Sequence, residues 1–395
     1  MNRQMVNVIV LVGLLWAMFA VATYVWLIPL QHNYDYLPRW VGAREMLFEG
    51  TDPFSYEITD AMLDEEGMPH FNARTFDYPA TTTYILLPFW LLPHEISTSL
   101  WCGLQLVIFS TLPLVIYTRV YWKPRPLTLA AIVLLSVVGL QNSLTVYTLG
   151  QFTGFALACF VIAWWAISRE HDTLAALALV GPTVRPDGLV IVGAFLAVLL
   201  WERRFKPVVI WAAVMAGLLV VSVLHVGWWV PDFVDRIREY HRIGESVWLP
   251  HGLLGAPVLE YAVTAGILGW AAWLVWDTRT LDSHLRLLWW LSVVIVVTLV
   301  VLPQTNDYTL VYLLLPIWLL LWIWRKSITT PLLFIWIPAA TYAAMYAYDD
   351  SGRVTESYLW LNQFLTPLVV FGLLTVEWRR YNRARLSLAA APERA

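Results

Sequence analysis

The chain predicts an all-α polytopic membrane protein with about 12 transmembrane helices, and three observations carry that expectation. Of 395 residues, 59% are hydrophobic and 13% charged, where soluble domains carry roughly 25% charged residues. Apolar runs long enough to cross a bilayer recur along the chain. The 24 Trp and 18 Tyr suit a chain with many anchors at the membrane interface. A net charge of -3 without a basic tract gives no reason to expect nucleic acid as a partner. Cys102 and Cys159 lie inside apolar runs and indicate neither a disulfide nor a zinc site. The first apolar run lacks a small-residue cleavage site and reads as a retained helix. No internal repeat is visible, so residues 1–395 read as one transmembrane unit.

Taken in order, the expected spans are 6–30, 97–119, 127–147, 152–168, 172–184, 187–200, 207–227, 258–276, 286–302, 308–324, 329–346 and 358–377. Between the first two lies the stretch around which the rest is organised, a loop over residues 31–84 dense in acidic side chains. It opens with Asp35 between Tyr34 and Tyr36. A short amphipathic helix is expected from about Pro38 to Glu49, with Pro at its opening and Gly50 at its close. Trp40, Ala43, Met46 and Leu47 share one face of it, as membrane-interface helices often arrange their apolar residues. A second short helix is expected near Glu57–Glu66. The apolar piece Thr81–Pro93 is too short to cross a ~30 Å core and reads as re-entrant or interfacial. A second outer loop, 228–257, carries FVDRIREYHRI, an amphipathic helix suited to interfacial packing. Residues 378–395 read as a basic cytoplasmic tail.

Charge supports an arrangement with both termini inside. Most of the 25 Lys and Arg residues then fall in inner loops, among them Arg119, Arg169, Arg203, Arg204, Arg279 and Arg286. Such a bias orients membrane chains. The outer side is left with the unusual polar residues: Asp35, the Thr148–Gln151 stretch, Arg185–Asp187, and PQTNDY at 303–308. Ionisable groups at membrane depth cost at least ~2.5 kcal/mol on insertion scales and usually face a cavity or a partner. Arg185 stands between segments of 13 and 14 residues. Helices of that length reach ~20 Å, so the turn between them sits below the bilayer surface. Pro186 opens the next helix, whose free amides favour an anion. The bland alternative is an Arg185 paired structurally with Asp187. Asp35 and Asp307 likewise have a bland alternative as carboxylates at helix ends. No HExxH, Walker loop, GxSxG or Cys/His cluster is present.

Several stretches in this order carry a family resemblance. They are DYLPRWVGAREMLFEGTDPFSY, FDYPATTTYILLPFWLLP, YTLGQFTGFAL, GPTVRPDGLVIVGAFLAVLLWERRFK and LPQTNDYTLVYLLLPIWLLL. The chain resembles glycosyltransferase family 87 of the GT-C superfamily, the polyprenyl-phosphate-mannose-dependent mannosyltransferases. Gly50, Asp52, Pro53 and Phe54 stand where that family has Gly-x-x-Pro-Tyr. Tyr78-Pro79-Ala80 lacks the family's second Pro, and Gly150-Gln151 matches a Gly-Gln pair. Arg185-Pro186 stands for a Lys-Pro, and the family's later Asn-Gln-Ser element has no copy here.

The resemblance implies a GT-C fold transferring a hexose, mannose in that family, from a polyprenyl-phosphate sugar to a lipid or glycan acceptor at the extracytoplasmic face of the cell membrane. Inversion at the anomeric carbon is part of the implication. Asp35 inherits the role of general base. Arg185, with Arg44 in reserve, is assigned to the donor phosphate. Tyr78, Trp40, Gln151, Gln304, Asp307 and Tyr308 are candidates for the sugar or acceptor. No cofactor and no metal site are expected, although Asp35 with Asp77 or Asp307 leaves room for Mg²⁺ or Mn²⁺. The alternative is a transporter or lipid flippase with an outward polar cavity, which usually shows inverted repeats.

Overall fold

A computed structural model describes residues 3–29, 35–54, 76–243, 257–302, 307–323, 339 and 365–389. Among them every regular element is a helix. The expected helix near 57–66, the span 329–346 apart from Ala339, and Gln304 lie outside the described residues.

Helix α1 (Arg3–Ala22) continues through a wider π-helical turn at Thr23–Leu27. α2 (Tyr36–Glu49) follows Asp35 and stops at Gly50, as predicted. The stretch 81–93 forms two helices of four residues, α3 (Thr82–Ile85) and α4 (Leu87–Trp90). Pro88 follows the residue that opens α4, and neither helix is of spanning length. α5 (His94–Arg119) is the longest. α6 (Pro126–Leu134) passes through a π-helical turn, Leu135–Gly139, and then bends by 59° into α7 (Gln141–Leu149). After α8 (Thr153–Ile167) come α9 (Asp172–Val180), a 3-10 turn over Gly181–Val184, and α10 (Pro186–Trp201). The chain continues through α11 (Phe205–Val226), α12 (Val230–Ile243), α13 (Pro257–Asp277) and α14 (Ser283–Val301). A 3-10 segment, Asp307–Leu313, leads into α15 (Leu314–Ile323), and α16 spans Thr366–Ala389.

Among the described residues four helical segments are long and apolar enough to cross a membrane, or five if the bent α6–α7 pair counts as one. About 12 full spans are not confirmed among the described residues, since several expected spans are carried by short helices. α6, α9 and α15 have 9, 9 and 10 residues, and α8 and α10 have 15 and 16. At 1.5 Å per residue the longest of these reaches only ~24 Å. The apolar run 126–149 is carried by a bent pair of helices. α16 continues as helix to Ala389, through most of the region read as a tail.

Burial divides the bundle. In the most apolar windows of α1 and α11 only 11% of residues are buried, against 61% in α5 and 78% in α14. Leu11, Leu14, Val209 and Leu224 on α1 and α11 are exposed. In water such surface would cost about 25 cal/mol per Å², and in lipid that cost vanishes. α1 leans on α5, where Trp16 Nε1 donates to the Leu100 carbonyl at 2.8 Å. α11 leans on α9, and α14 runs through the middle against α10, α13, α15 and α16.

At one end of the bundle, the arginines expected in inner loops tie helix ends together. Glu202, nearly buried, accepts from Arg286 Nε at 2.6 Å and lies 3.5 Å from Arg204. Arg204 also donates to the Ile167 carbonyl and to Ser283 Oγ. Arg119 donates to Ser168. The ends of α5, α8 and α10 and the start of α14 therefore meet there. The opposite end holds a separate aromatic core that includes Tyr36, Phe76, Trp90, Trp101, Phe152 and Trp229. α2 buries Tyr36, Ala43 and Met46 in it, so its apolar face packs on protein. α12 packs over the same core through Phe233, and Arg236 pairs with Asp77 at 3.6 Å.

Candidate functional site

Four chain segments converge beside this aromatic core. Asp35 lies in the turn just ahead of α2, with its side chain 30% exposed. One helical turn later stands Arg39, only 7% exposed. Spacing of i to i+4 puts the two on one helix face, and Arg39 Nη2 comes within 3.9 Å of Asp35 Oδ2. The Arg39 guanidinium stacks on the rings of Tyr78 and Phe152, at 5.0 and 5.2 Å from their centroids. Burial opposes its charge. Tyr78 and Asp35 outweigh that, and hold the guanidinium above its ordinary pKa.

The second segment is Gly150–Phe152. α7 ends at Gly150 with φ +63, in the left-handed region where only glycine sits without strain. A Cβ there would also meet Tyr36 Cβ at 3.0 Å. The turn is fixed by Trp101 Nε1, which donates to the Gly150 carbonyl at 2.9 Å, and Arg39 Nη1 reaches the same oxygen at 3.5 Å. Gln151, fully buried, then donates from Nε2 to Asp35 Oδ2 at 2.5 Å. Both neighbours of the carboxylate thus lie on Oδ2. Among the described residues Oδ1 has no hydrogen-bond partner, and it makes no capping bond to α2.

The third segment is the break between α9 and α10. Gly188 packs so tightly on the 3-10 turn that a Cβ would lie 2.1 Å from the Pro182 carbonyl oxygen. That contact sets Arg185 in extended backbone at the start of α10. Arg185 is 7% exposed. Its Nε donates to Asp187 Oδ1 at 2.9 Å, and its guanidinium covers the Tyr308 ring at 5.2 Å. Arg185 is thus paired with Asp187 through Nε. Tyr308 comes from the fourth segment, the 3-10 stretch before α15, which packs on α7, α8 and α14. Tyr312, one turn on, is buried with its hydroxyl near Asp187 and Arg185. The charge of Arg185 is close enough to bear on Arg39, so the two arginines belong to one cluster.

Of the residues singled out from sequence, Asp35, Gln151, Tyr78, Arg185 and Tyr308 come together. Arg44 and Trp40 stand elsewhere. Arg44 lies five residues beyond Arg39, roughly 140° around α2. It donates to the Trp90 carbonyl at 2.9 Å and stacks on Trp40 and Phe48. Trp40 donates to the Leu92 carbonyl and meets His94 edge-on. Both therefore fasten α2 to the segment around α4. Asp307 opens the 3-10 stretch, but its side chain and all of Gln304 lie outside the described residues. Sequence reasoning missed Arg39, Phe152 and Tyr312. The i, i+4 spacing from Asp35 is the one signal that points to Arg39.

Among the described residues no three His, Cys, Asp or Glu gather as metal ligands. Asp52, just beyond α2, has its carboxyl pushed above the usual carboxylate range by burial and by Asp232 on α12. Comparison of the chain with protein-family models, curated proteins and solved structures returns no match.

Proposed function

We propose that this protein is a membrane glycosyltransferase of GT-C type, moving a hexose from a polyprenyl-phosphate sugar to a lipid-linked or glycan acceptor. The observation that supports it best is the convergence of Asp35, Tyr78, Gln151, Arg185 and Tyr308, drawn from five separate stretches of the chain into one charged cluster beside the aromatic core. A partly exposed carboxylate next to two buried guanidiniums matches the needs of the reaction. The acceptor hydroxyl oxygen bonds to the anomeric carbon while the bond from that carbon to the phosphate oxygen breaks. The hydroxyl proton passes to Asp35 Oδ1, which has no hydrogen-bond partner among the described residues. The bond electrons go to the leaving lipid phosphate, which gains one negative charge. Arg185, with Arg39 behind it, supplies positive charge at that point. Tyrosine rings at 78 and 308 stack on the guanidiniums and help to hold them in the cluster.

In this reading the site opens on the extracytoplasmic side, with both termini cytoplasmic and the polyprenyl tail in lipid. Mannose as the sugar and inversion at the anomeric carbon enter by family resemblance. Asp35 Oδ2 accepts from Gln151 Nε2 and has the Arg39 guanidinium 3.9 Å away. No step is routed through a metal.

The test is transfer itself. Purified protein is given a panel of radiolabelled polyprenyl-phosphate sugars with lipid and oligosaccharide acceptors, alongside Asp35→Ala. Transfer by wild type that disappears in a folded Asp35→Ala supports the proposal. Donor binding without transfer under any condition favours the transporter alternative.

A further inference from the structure

Gln151 entered as a candidate for binding sugar or acceptor, and its geometry argues otherwise. The side chain is fully buried, so no part of it is open to a substrate. Its Oε1 is buried with no hydrogen-bond partner among the described residues, while Nε2 is spent on Asp35 Oδ2. An amide with one orphaned end is costly, about 1–3 kcal/mol for an unsatisfied buried acceptor. Turning the amide over would relieve nothing, because Oε1 would then face an ionised carboxylate that can only accept. The backbone is arranged for this contact as well. Gly150 holds a conformation reserved for glycine, and Trp101 anchors its carbonyl. The peptide just before Gln151 is therefore fixed on both sides.

We propose that Gln151 is a positioning residue for Asp35. It locks Oδ2, leaves Oδ1 as the oxygen that receives the acceptor's proton, and so places the acceptor hydroxyl on the Oδ1 side of the carboxylate. Arg39 approaches the same Oδ2 from α2 at 3.9 Å and supports the lock more loosely. The inference rests on the transfer reading for its consequence, though the contact itself does not.

The experiment compares wild type with Gln151→Leu, which keeps volume and removes the orphaned acceptor together with the donor. Gln151→Met serves if Leu does not fold. Turnover is measured against donor and acceptor concentration. In parallel, a hydrophobic carbodiimide is applied without substrate, and labelling of the Asp35 peptide is read by mass spectrometry. The expected result is a fall in kcat of ~10- to 100-fold, as misplacement of a reacting group produces, with both KM values unchanged. Carbodiimide labelling of Asp35 rises several-fold, because Oδ2 is no longer covered by the Gln151 amide and lies open to the reagent. A raised KM at unchanged kcat overturns the proposal and returns Gln151 to substrate binding. Unchanged labelling also overturns it. If wild type transfers no sugar, the transfer reading fails by itself, and the labelling comparison still decides whether Gln151 holds Asp35.

Discussion

Removing the Arg39 side chain is the perturbation with the most to say about how the site is held. Arg39→Ala deletes an ion pair at 3.9 Å to a carboxylate that is 30% exposed, a contact worth about 0.2–1 kcal/mol after screening. It also deletes two stacked ring contacts, each worth about 1–2 kcal/mol where the cation is desolvated. The 3.5 Å approach to the Gly150 carbonyl is too long to count for much. Against these stands the desolvation of a buried guanidinium, which the substitution relieves in part. The net loss expected is about 2–4 kcal/mol. Equilibrium unfolding in mixed micelles, followed by tryptophan fluorescence, measures it. A cycle with Tyr78→Leu should show a coupling of at least about 0.5 kcal/mol, as residues in contact do. Arg39→Lys keeps the charge but loses the planar stack, and should recover less than half of the loss. A loss under about 0.5 kcal/mol for Arg39→Ala, the usual scale of an exposed surface position, would refute the packing of Arg39 between the two rings.

Other perturbations follow from contacts away from the carboxylate. Glu202→Ala leaves Arg204 and Arg286 without their shared carboxylate and should destabilise by about 3–5 kcal/mol, as breaking a buried pair does; Glu202→Gln should cost less, and thermal unfolding in detergent ranks the two. Arg185→Ala should weaken donor binding, while Arg44→Ala, whose guanidinium is committed to Trp90 and Trp40, should leave it unchanged; direct titration with the donor lipid separates them. For Asp52 the folded-state pKa is raised by burial and by Asp232. The stabilisation tied to its proton is fully present below the ordinary carboxylate value and is lost as pH rises through the raised one. Hydrogen exchange in α12, corrected for intrinsic rate, should therefore quicken as pH rises from the acid range, and Asp52→Asn should remove that dependence.

Much of the fold is legible because lipid makes hydrophobicity a direct reading of helix position. The helices at 3–27, 94–119, 205–226 and 283–301 lie close to the apolar runs that announce them. The breaks are harder to read. Nothing in the run 127–147 marks a 59° bend more strongly than Gly139, and an apolar run looks the same whether one helix or two carry it. Among the described residues several of the expected spans are therefore carried by short helices. Within the site, Asp35, Arg185 and Tyr308 were visible as polar residues where polarity is expensive. Arg39 was not, because an arginine on an amphipathic helix normally points to water. Its burial depends on Tyr78 and Phe152, which lie roughly 40 and 110 residues away along the chain and cannot be paired with it by local pattern. Gln151 was seen as a site residue, but its role depends on which way the side chain faces, and only the geometry gives that.

The central claim is that Asp35 removes the acceptor's proton during sugar transfer. Single-turnover transfer by Asp35→Asn, with donor saturating, tests it most directly, since the amide keeps the shape of the carboxylate and cannot act as the base. The account predicts a rate ~10²- to 10⁴-fold below wild type, the usual contribution of a general base, with donor affinity unchanged. A rate within a few-fold of wild type would contradict it.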